Sequence, residues 1–142
     1  MKQLKPLFLL SLILLAFACN DDNDAIPSIQ GDWTLNKIKG TGMAPGFPLA
    51  IPVELDEDTL NALIGNEMAR TVELREDQKI YRKDIQIAVG SWSQDNANFT
   101  FKIDSLSSKE YNGEANTSQL KLFVTDLDIE GNKFTGDVYF RK

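Results

Sequence analysis

The chain has 142 residues, a formal net charge of −6 and no histidine, and its single cysteine is Cys19. An acidic chain is a poor partner for nucleic acid, because phosphate binding depends on clustered lysine and arginine. Without histidine and with one cysteine, the chain contains no Ser-His-Asp or Cys-His nucleophile pair, no His/Cys zinc site and no internal disulfide. We therefore expect a protein that is not an enzyme and holds no cofactor, with carboxylate chemistry of the glycosidase type as the remaining catalytic option.

Residues 1–18 are predicted to be a signal peptide. Lys2 and Lys5 precede an apolar stretch of 11 residues, 7–17, whereas a helix that spans a bilayer needs about 20. A positive start, a short apolar core and a small residue at the end, here Ala18, are typical of a secretory leader. The leader is therefore expected to be removed and not to remain in the membrane.

Cys19 follows this leader directly, and residues 15–19 resemble the lipobox of bacterial lipoproteins. The resemblance implies cleavage before Cys19 and its acylation, for example with palmitate, so that lipid chains hold the mature protein in the outer membrane. The acidic run at residues 20–24 resembles the export signal of Bacteroidota-type surface lipoproteins, which implies display at the cell surface. Two plainer interpretations stay open: a buried or reactive thiol at Cys19, and a solvated tether on the periplasmic face.

Residues 29–142 are predicted to form one domain, with residues 19–28 as its tether. From Trp33 onward apolar and polar side chains alternate, which predicts strands with one buried face. The parity shifts between Val124 and Leu127, where we expect a bulge. The alternating apolar residues are Trp33 and Leu35; Val72 and Leu74; Tyr81, Ile85, Ile87 and Val89; Phe99, Phe101 and Ile103; Leu120, Leu122 and Val124; and Phe134, Val138 and Phe140.

Two segments interrupt this alternation. Residues 56–65 are predicted to form a short helix, because Asp56 precedes an acidic first turn, Leu60 and Leu63 follow at helical spacing, and Gly65 is a suitable stop. Residues 40–52 combine glycine and proline with apolar side chains and are predicted to form a long loop. This loop either folds over the open end of the core or acts as a lid or rim that touches a ligand or partner.

Residues 29–35, which place Gly31 and Trp33 at the start of the first predicted strand, resemble the Gly-x-Trp motif of lipocalin-like domains. The final Tyr139, Phe140 and Arg141 are similar to the closing strand of lipocalin-like lipoproteins of Bacteroidota. The resemblance implies an all-β fold, a lipocalin-like up-and-down antiparallel β-barrel of about eight strands with one short helix. In this family Gly31 and Trp33 would be structural residues and not ligand contacts.

The resemblance also implies a binding protein that holds a small apolar molecule or a lipid, and we expect it to be a monomer. Two alternatives stay open: a packed core with no ligand, and a β-sandwich or barrel used for protein interaction as an adhesin, inhibitor or accessory subunit. Trp92, between two serines near a predicted turn, is a candidate for an exposed contact. The residues predicted to line a ligand cavity are Tyr81, Ile85, Ile87, Phe99, Phe101, Leu122 and Phe140.

Two further motifs favour modest interpretations. Asp58-Thr59-Leu60 and Asp104-Ser105-Leu106 resemble the O-glycosylation sequon of Bacteroidota, which implies modification at Thr59 and Ser105. A second group of residues follows the spacing of a calcium loop, but aspartate takes the place of the usual final glutamate and strands flank the segment. We expect a plain hairpin there and no metal site. The residues of this group are Asp126, Asp128, Glu130, Gly131, Asn132 and Asp137.

Overall fold

The computed structural model describes residues 28–47, 49–96, 98–104, 109–129 and 131–142. The predicted signal peptide, Cys19, the tether up to residue 27 and Ser105 lie outside these ranges. The described residues form nine strands and two short helices: β1 (Gly31–Met43), β2 (Ile51–Leu55), α1 (Glu57–Ile64), α2 (Glu67–Arg70), β3 (Thr71–Leu74), β4 (Lys79–Arg82), β5 (Ala88–Asp95), β6 (Asn98–Ile103), β7 (Glu110–Ala115), β8 (Gln119–Ile129) and β9 (Asn132–Arg141).

All neighbouring strands are antiparallel, and the sheet closes because β1 pairs with β9. The other edge of β1 is shared, since residues 31–34 pair with β3 and residues 38–42 pair with β2. Eight strands, β1 and β3 to β9, therefore form a closed ring, with β2 beside it. The predicted all-β antiparallel barrel is confirmed, with α2 as a second short helix that was not predicted.

Bulges in β8 and β1 adjust which residues of these two strands face inward. The predicted parity shift between Val124 and Leu127 is confirmed by the register of β8 against β9. A second bulge lies in β1, where Leu35 pairs with Phe140 but Lys37 pairs with Tyr139. Each bulge reverses the alternation, so that both strands keep apolar residues on the inner face along their whole length.

The strands differ in length, and the longer ones reach beyond the ring. β1, β8 and β9 contain 13, 11 and 10 residues, whereas β3 contains 4 and β6 contains 6. We call the end of the barrel at Gly31 the lower end and the end at Met43 the upper end. At the upper end, residues 38–43, 51–55, 124–129 and 132–138 continue as a four-stranded sheet, which we call the extension.

The strand predicted through Tyr81, Ile85 and Ile87 is wrong. β4 ends at Arg82, and a turn follows that is closed by hydrogen bonds from Gln86 N to Arg82 O (2.9 Å) and from Arg82 N to Ile87 O (3.0 Å). Gln86 has a φ of 55°, which a strand does not allow. The alternation continues in the sequence across this turn, but the backbone reverses direction within it, so Ile85 and Ile87 are 48% and 58% exposed.

The long loop predicted for residues 40–52 is shorter, because β1 continues to Met43 and β2 begins at Ile51. Gly40 belongs to the sheet and not to a loop. A Cβ atom on Gly40 would lie 2.3 Å from Thr135 O and 2.7 Å from the Cα of Gly136. The two strands therefore approach each other more closely at this pair than any side chain permits.

The predicted helix is confirmed as α1, with Asp56 as its N-cap and Gly65 as its C-cap. Asp56 Oδ1 accepts hydrogen bonds from Thr59 N at 2.9 Å and from Thr59 Oγ1 at 2.7 Å. Gly65 has a φ of 71°, and its N–H donates to Asn61 O at 2.8 Å. These bonds satisfy backbone and side-chain groups that the short helix leaves unpaired.

The N-cap of α1, Asp56, predicts that the stability of the fold depends on pH. The hydrogen bond from the Thr59 side chain, and to a smaller extent the one from its backbone N–H, lowers the pKa of Asp56 below its ordinary value. The carboxylate therefore stabilises the fold above the unfolded-state pKa of about 3.9. This stabilisation is lost as the pH falls through the folded-state pKa. Asp56→Ala should therefore lower the melting temperature at neutral pH and change it little near pH 2. Asp56→Asn keeps a hydrogen-bond acceptor and should remain near the wild-type melting temperature at neutral pH. If both variants lower the melting temperature equally, Asp56 does not act as an N-cap.

Polar contacts hold α1 and α2 against the outside of the barrel. The buried guanidinium of Arg70 donates to Leu35 O at the β1 bulge and to Asn61 Oδ1. At the ring itself, the Thr34 and Thr71 hydroxyls are 2.8 Å apart. Arg141 at the end of β9 pairs with α1 and α2 through Glu57 and Glu67, at 2.9 and 3.0 Å. Neither helix in the described part of the chain is long and apolar enough to cross a bilayer.

Candidate apolar site at the upper end of the barrel

Large side chains fill the lower half of the interior. Trp33 is 0% and Phe99 is 1% exposed. The exposed contact predicted for Trp92 is wrong, because its ring belongs to the core and its Nε1 donates to Arg75 O at 3.2 Å. An eight-stranded barrel is just wide enough for such side chains, so we place no ligand at this level. The other buried members of the core are Ile29, Leu74, Ile80, Phe101, Tyr111, Leu120, Leu122 and Val124.

The structure brings together four of the seven residues predicted to line a cavity. Phe99, Phe101 and Leu122 are buried in the core, and Phe140 packs against it. Tyr81 lies on the outer face, where the Arg75 guanidinium stands 3.9 Å from its ring centroid and its hydroxyl donates to Asp77 at 3.0 Å. Ile85 and Ile87 lie in the exposed β4–β5 turn. The four interior residues contribute to packing and provide the floor of any site above them.

The inner face of the extension continues the apolar interior upward. Val138 pairs with Leu122 on one side and with Ile38 on the other, and directly opposite residues share a face of the sheet. Leu127 and Phe134 pack against the core from above. These side chains are only half buried, and the face they form is open. Its members are Ile38, Ile51, Val53, Leu55, Leu127 and Phe134.

Tyr111 is a polar aromatic residue of the interior that lies near this face. It lies opposite Phe101, and because Asn112 pairs with Phe123, Tyr111 stands beside Val124, where the extension begins. The side chain is 4% exposed, yet its hydroxyl has no hydrogen-bond partner among the described residues. An unpaired buried hydroxyl costs about 1–3 kcal/mol, so its position requires an explanation.

The chemistry of this hydroxyl is that of a neutral phenol. Burial raises the pKa of Tyr111 above its ordinary value because the apolar surroundings disfavour the phenolate. The group can therefore donate one hydrogen bond and accept others at any physiological pH. Sequence reasoning missed this residue, although Tyr111 stands at an apolar parity between Glu110 and Asn112, which is the pattern of an inward polar aromatic side chain.

Two other unpaired buried atoms lie elsewhere among the described residues, Asn36 Oδ1 and Arg70 Nε. Both belong to side chains at the β1 bulge, where Arg70 already donates two hydrogen bonds. That position is polar and occupied by the helices. Tyr111 differs from them because it belongs to the apolar core and stands beside Val124, where the extension begins.

The remaining sequence motifs contribute nothing to this site. Thr59 is exposed at the start of α1, and its hydroxyl donates to Asp56. The predicted hairpin is confirmed as β8–β9, and Gly131 N donates to Asp128 Oδ1 at 2.8 Å in its turn. Asp137 pairs with Phe123, several residues along the ladder from Asp128. Within the described ranges, no group of three or more metal-ligating side chains is arranged to hold an ion.

Comparisons with known proteins give the chain no relative. No family model, no curated protein and no solved structure matches it.

Proposed function

We propose that the chain is a lipid-anchored, lipocalin-like binding protein of the outer membrane, without enzymatic activity, that takes a small apolar molecule or lipid carrying one polar group. The observation that carries this proposal is the unpaired hydroxyl of Tyr111 at the foot of an open apolar face. Binding sites for small molecules are mostly apolar, with few polar groups that fix orientation. A carbonyl, hydroxyl or carboxyl group of the ligand would complete the hydrogen bonding of Tyr111.

The place where Ile29 enters the barrel supports an anchor on the preceding chain. Ile29 is 0% exposed and accepts a hydrogen bond from Trp33 Nε1 at 2.6 Å, so the polypeptide is fixed to the lower end as it enters β1. The predicted tether would run from this point to an acylated Cys19. Intact mass of the membrane-extracted protein tests the anchor: a mass for Cys19 without acyl chains would refute it.

Native mass spectrometry of the purified protein is the test of ligand binding. We expect a retained small molecule in the wild type, and we expect Tyr111→Phe to retain it about tenfold more weakly, because one hydrogen bond is lost. The same substitution should leave the free energy of unfolding unchanged or slightly raised, since it removes an unpaired polar group.

Tyr81→Phe is the matched control, because the Tyr81 hydroxyl is bonded to Asp77 on the outer face. It should leave ligand retention unchanged. Equal retention by the wild type and the Tyr111→Phe variant would contradict the role of Tyr111, and a protein that carries no molecule after purification from its own membrane would contradict the function.

A second candidate function is protein interaction, as an adhesin, inhibitor or accessory subunit. It is favoured by exposed apolar side chains outside the barrel, with Leu63 at 69% and Met68 at 50% exposed on the helices and Ile87 at 58% in the β4–β5 turn. The hydrogen bond from Lys83 N to Thr71 O, 3.0 Å, brings that turn next to the end of α2. Photo-cross-linking from Met68 in cells should then trap one defined partner that cross-linking from the exposed Asn112 does not.

A further inference from the structure

We propose that the β1–β2 loop inserts into a lipid bilayer and forms a membrane contact of the folded domain itself. Residues 40–53, which we call the cap, contain no aspartate, glutamate, lysine or arginine over 14 residues, in a chain of which 25% is charged. Burying a charge in lipid is costly, whereas apolar and small residues enter readily. The cap is therefore chemically suited to the boundary between headgroups and acyl chains.

The cap also exposes its apolar side chains to an unusual degree. Phe47 is 65% and Leu49 is 71% exposed, with Met43 at 40% and Ile51 at 55% on the strand ends beside them. All of them lie on or next to the loop of residues 44–50 at the upper tip of the extension. Large apolar side chains grouped in one exposed loop indicate a surface that is covered in function.

The size and shape of the cap favour a bilayer over a protein as the covering surface. A stable protein interface takes about 20–30 residues on each partner, whereas the loop at the tip of this hairpin has seven, 44–50. A bilayer needs only apolar side chains that protrude, and each one that enters adds to the binding.

Charged residues mark how far the loop enters. Lys39 and Glu54 face each other across β1 and β2 directly below the cap. Lys133 lies opposite Met43 and, with Pro45 and Phe47, lines a groove of about 480 Å³. Lys133 has no ion pair among the described residues. Its ammonium group would lie at the level of lipid phosphates while its stem follows the apolar groove.

The tether is long enough for the cap to contact the same membrane in which an acylated Cys19 would be anchored. Ten residues from Cys19 to Ile29 reach about 35 Å when extended. The 13 residues of β1 span about 43 Å along the strand, or roughly 33 Å along the axis of a tilted barrel. The domain would then lie along the surface with both ends touching it. This inference adds to the proposed anchor and does not depend on ligand binding.

The test uses residues 20–142, which contain the whole closed ring and lack the cysteine, so that no acyl chain contributes. Phe47→Trp places a fluorescent indole on the cap, while the native indoles of Trp33 and Trp92 are 0% and 7% exposed and give a constant background. On vesicles of phosphatidylethanolamine and phosphatidylglycerol with brominated acyl chains, we expect a blue shift and quenching of the introduced indole. Adding Leu49→Asp should weaken the partitioning about tenfold or more.

Leu63→Trp is the matched control, because Leu63 is 69% exposed on α1, away from the cap. Its indole should not be quenched. The inference is overturned if the Phe47→Trp variant is not quenched at saturating vesicles or if Leu63→Trp is quenched equally. A blue shift without vesicles that grows with protein concentration would also overturn it, since a second copy of the chain would then cover the cap.

Discussion

Replacing Gly40 by alanine is expected to cost about 3 kcal/mol of folding free energy or to prevent folding. The added Cβ would stand 2.3 Å from Thr135 O and 2.7 Å from the Cα of Gly136. Both of these neighbours are backbone atoms of the paired strand, so the clash cannot be relieved by moving a side chain. The pairing of β1 with β9 that closes the ring must separate at this point. Urea denaturation measures the loss directly.

Gly42→Ala provides the comparison within the same strand. Its Cβ would meet Val53 Cγ2 at 3.1 Å, and a side-chain methyl group can shift by a few tenths of an ångström. We expect a loss below about 1 kcal/mol. If the two alanine variants lose the same stability, the close backbone approach at Gly40 is not what requires glycine there.

Trp33→Ala is expected to destabilise the domain by about 3–5 kcal/mol. The indole is 0% exposed and among the largest fully buried side chains, so its removal leaves a large cavity at the lower end. The variant also loses the 2.6 Å hydrogen bond to Ile29 O, which fixes the chain as it enters the barrel. Thermal and urea unfolding should both report the loss.

Phe123→Ala is the surface counterpart, since Phe123 is 36% exposed and carries the Lys121 ammonium 4.3 Å from its ring centroid. It should cost about 1 kcal/mol or less. Where Trp33→Ala yields no soluble protein, Trp33→Phe should fold with an intermediate loss. A Trp33 variant as stable as the Phe123 variant would contradict a structural role for the tryptophan.

Much of the fold could be predicted from local chemistry. Alternating apolar residues predict strands because a half-buried strand must present one face to the core, and this held for β6 and for the β8 bulge after Val124. The α1 helix was predicted from Asp56 and Gly65, whose capping bonds are local and need no knowledge of distant residues.

The predictions from sequence fail where contacts between residues far apart in the sequence determine the structure. Ile85 and Ile87 continue a perfect alternation, but the backbone turns there. Gly40 has the sequence surroundings of a loop residue, but glycine is needed there because the strand that carries Gly136, almost 100 residues away, approaches so closely. Tyr111 was missed for a similar reason: only the assembled barrel reveals that its hydroxyl has no partner among the described residues.

The pairing of β1 with β9, which closes the ring, has a consequence for folding during synthesis. β1 and β9 are the first and last strands, and their partners lie about 100 residues apart in sequence. The entropy of such a long loop must be overcome before the pair forms, which slows folding and prolongs the life of open intermediates. A chain synthesised from its N-terminus cannot complete its ring until Arg141 has left the ribosome. Until then β1 offers an unpaired edge to other chains, which favours aggregation of the incomplete barrel.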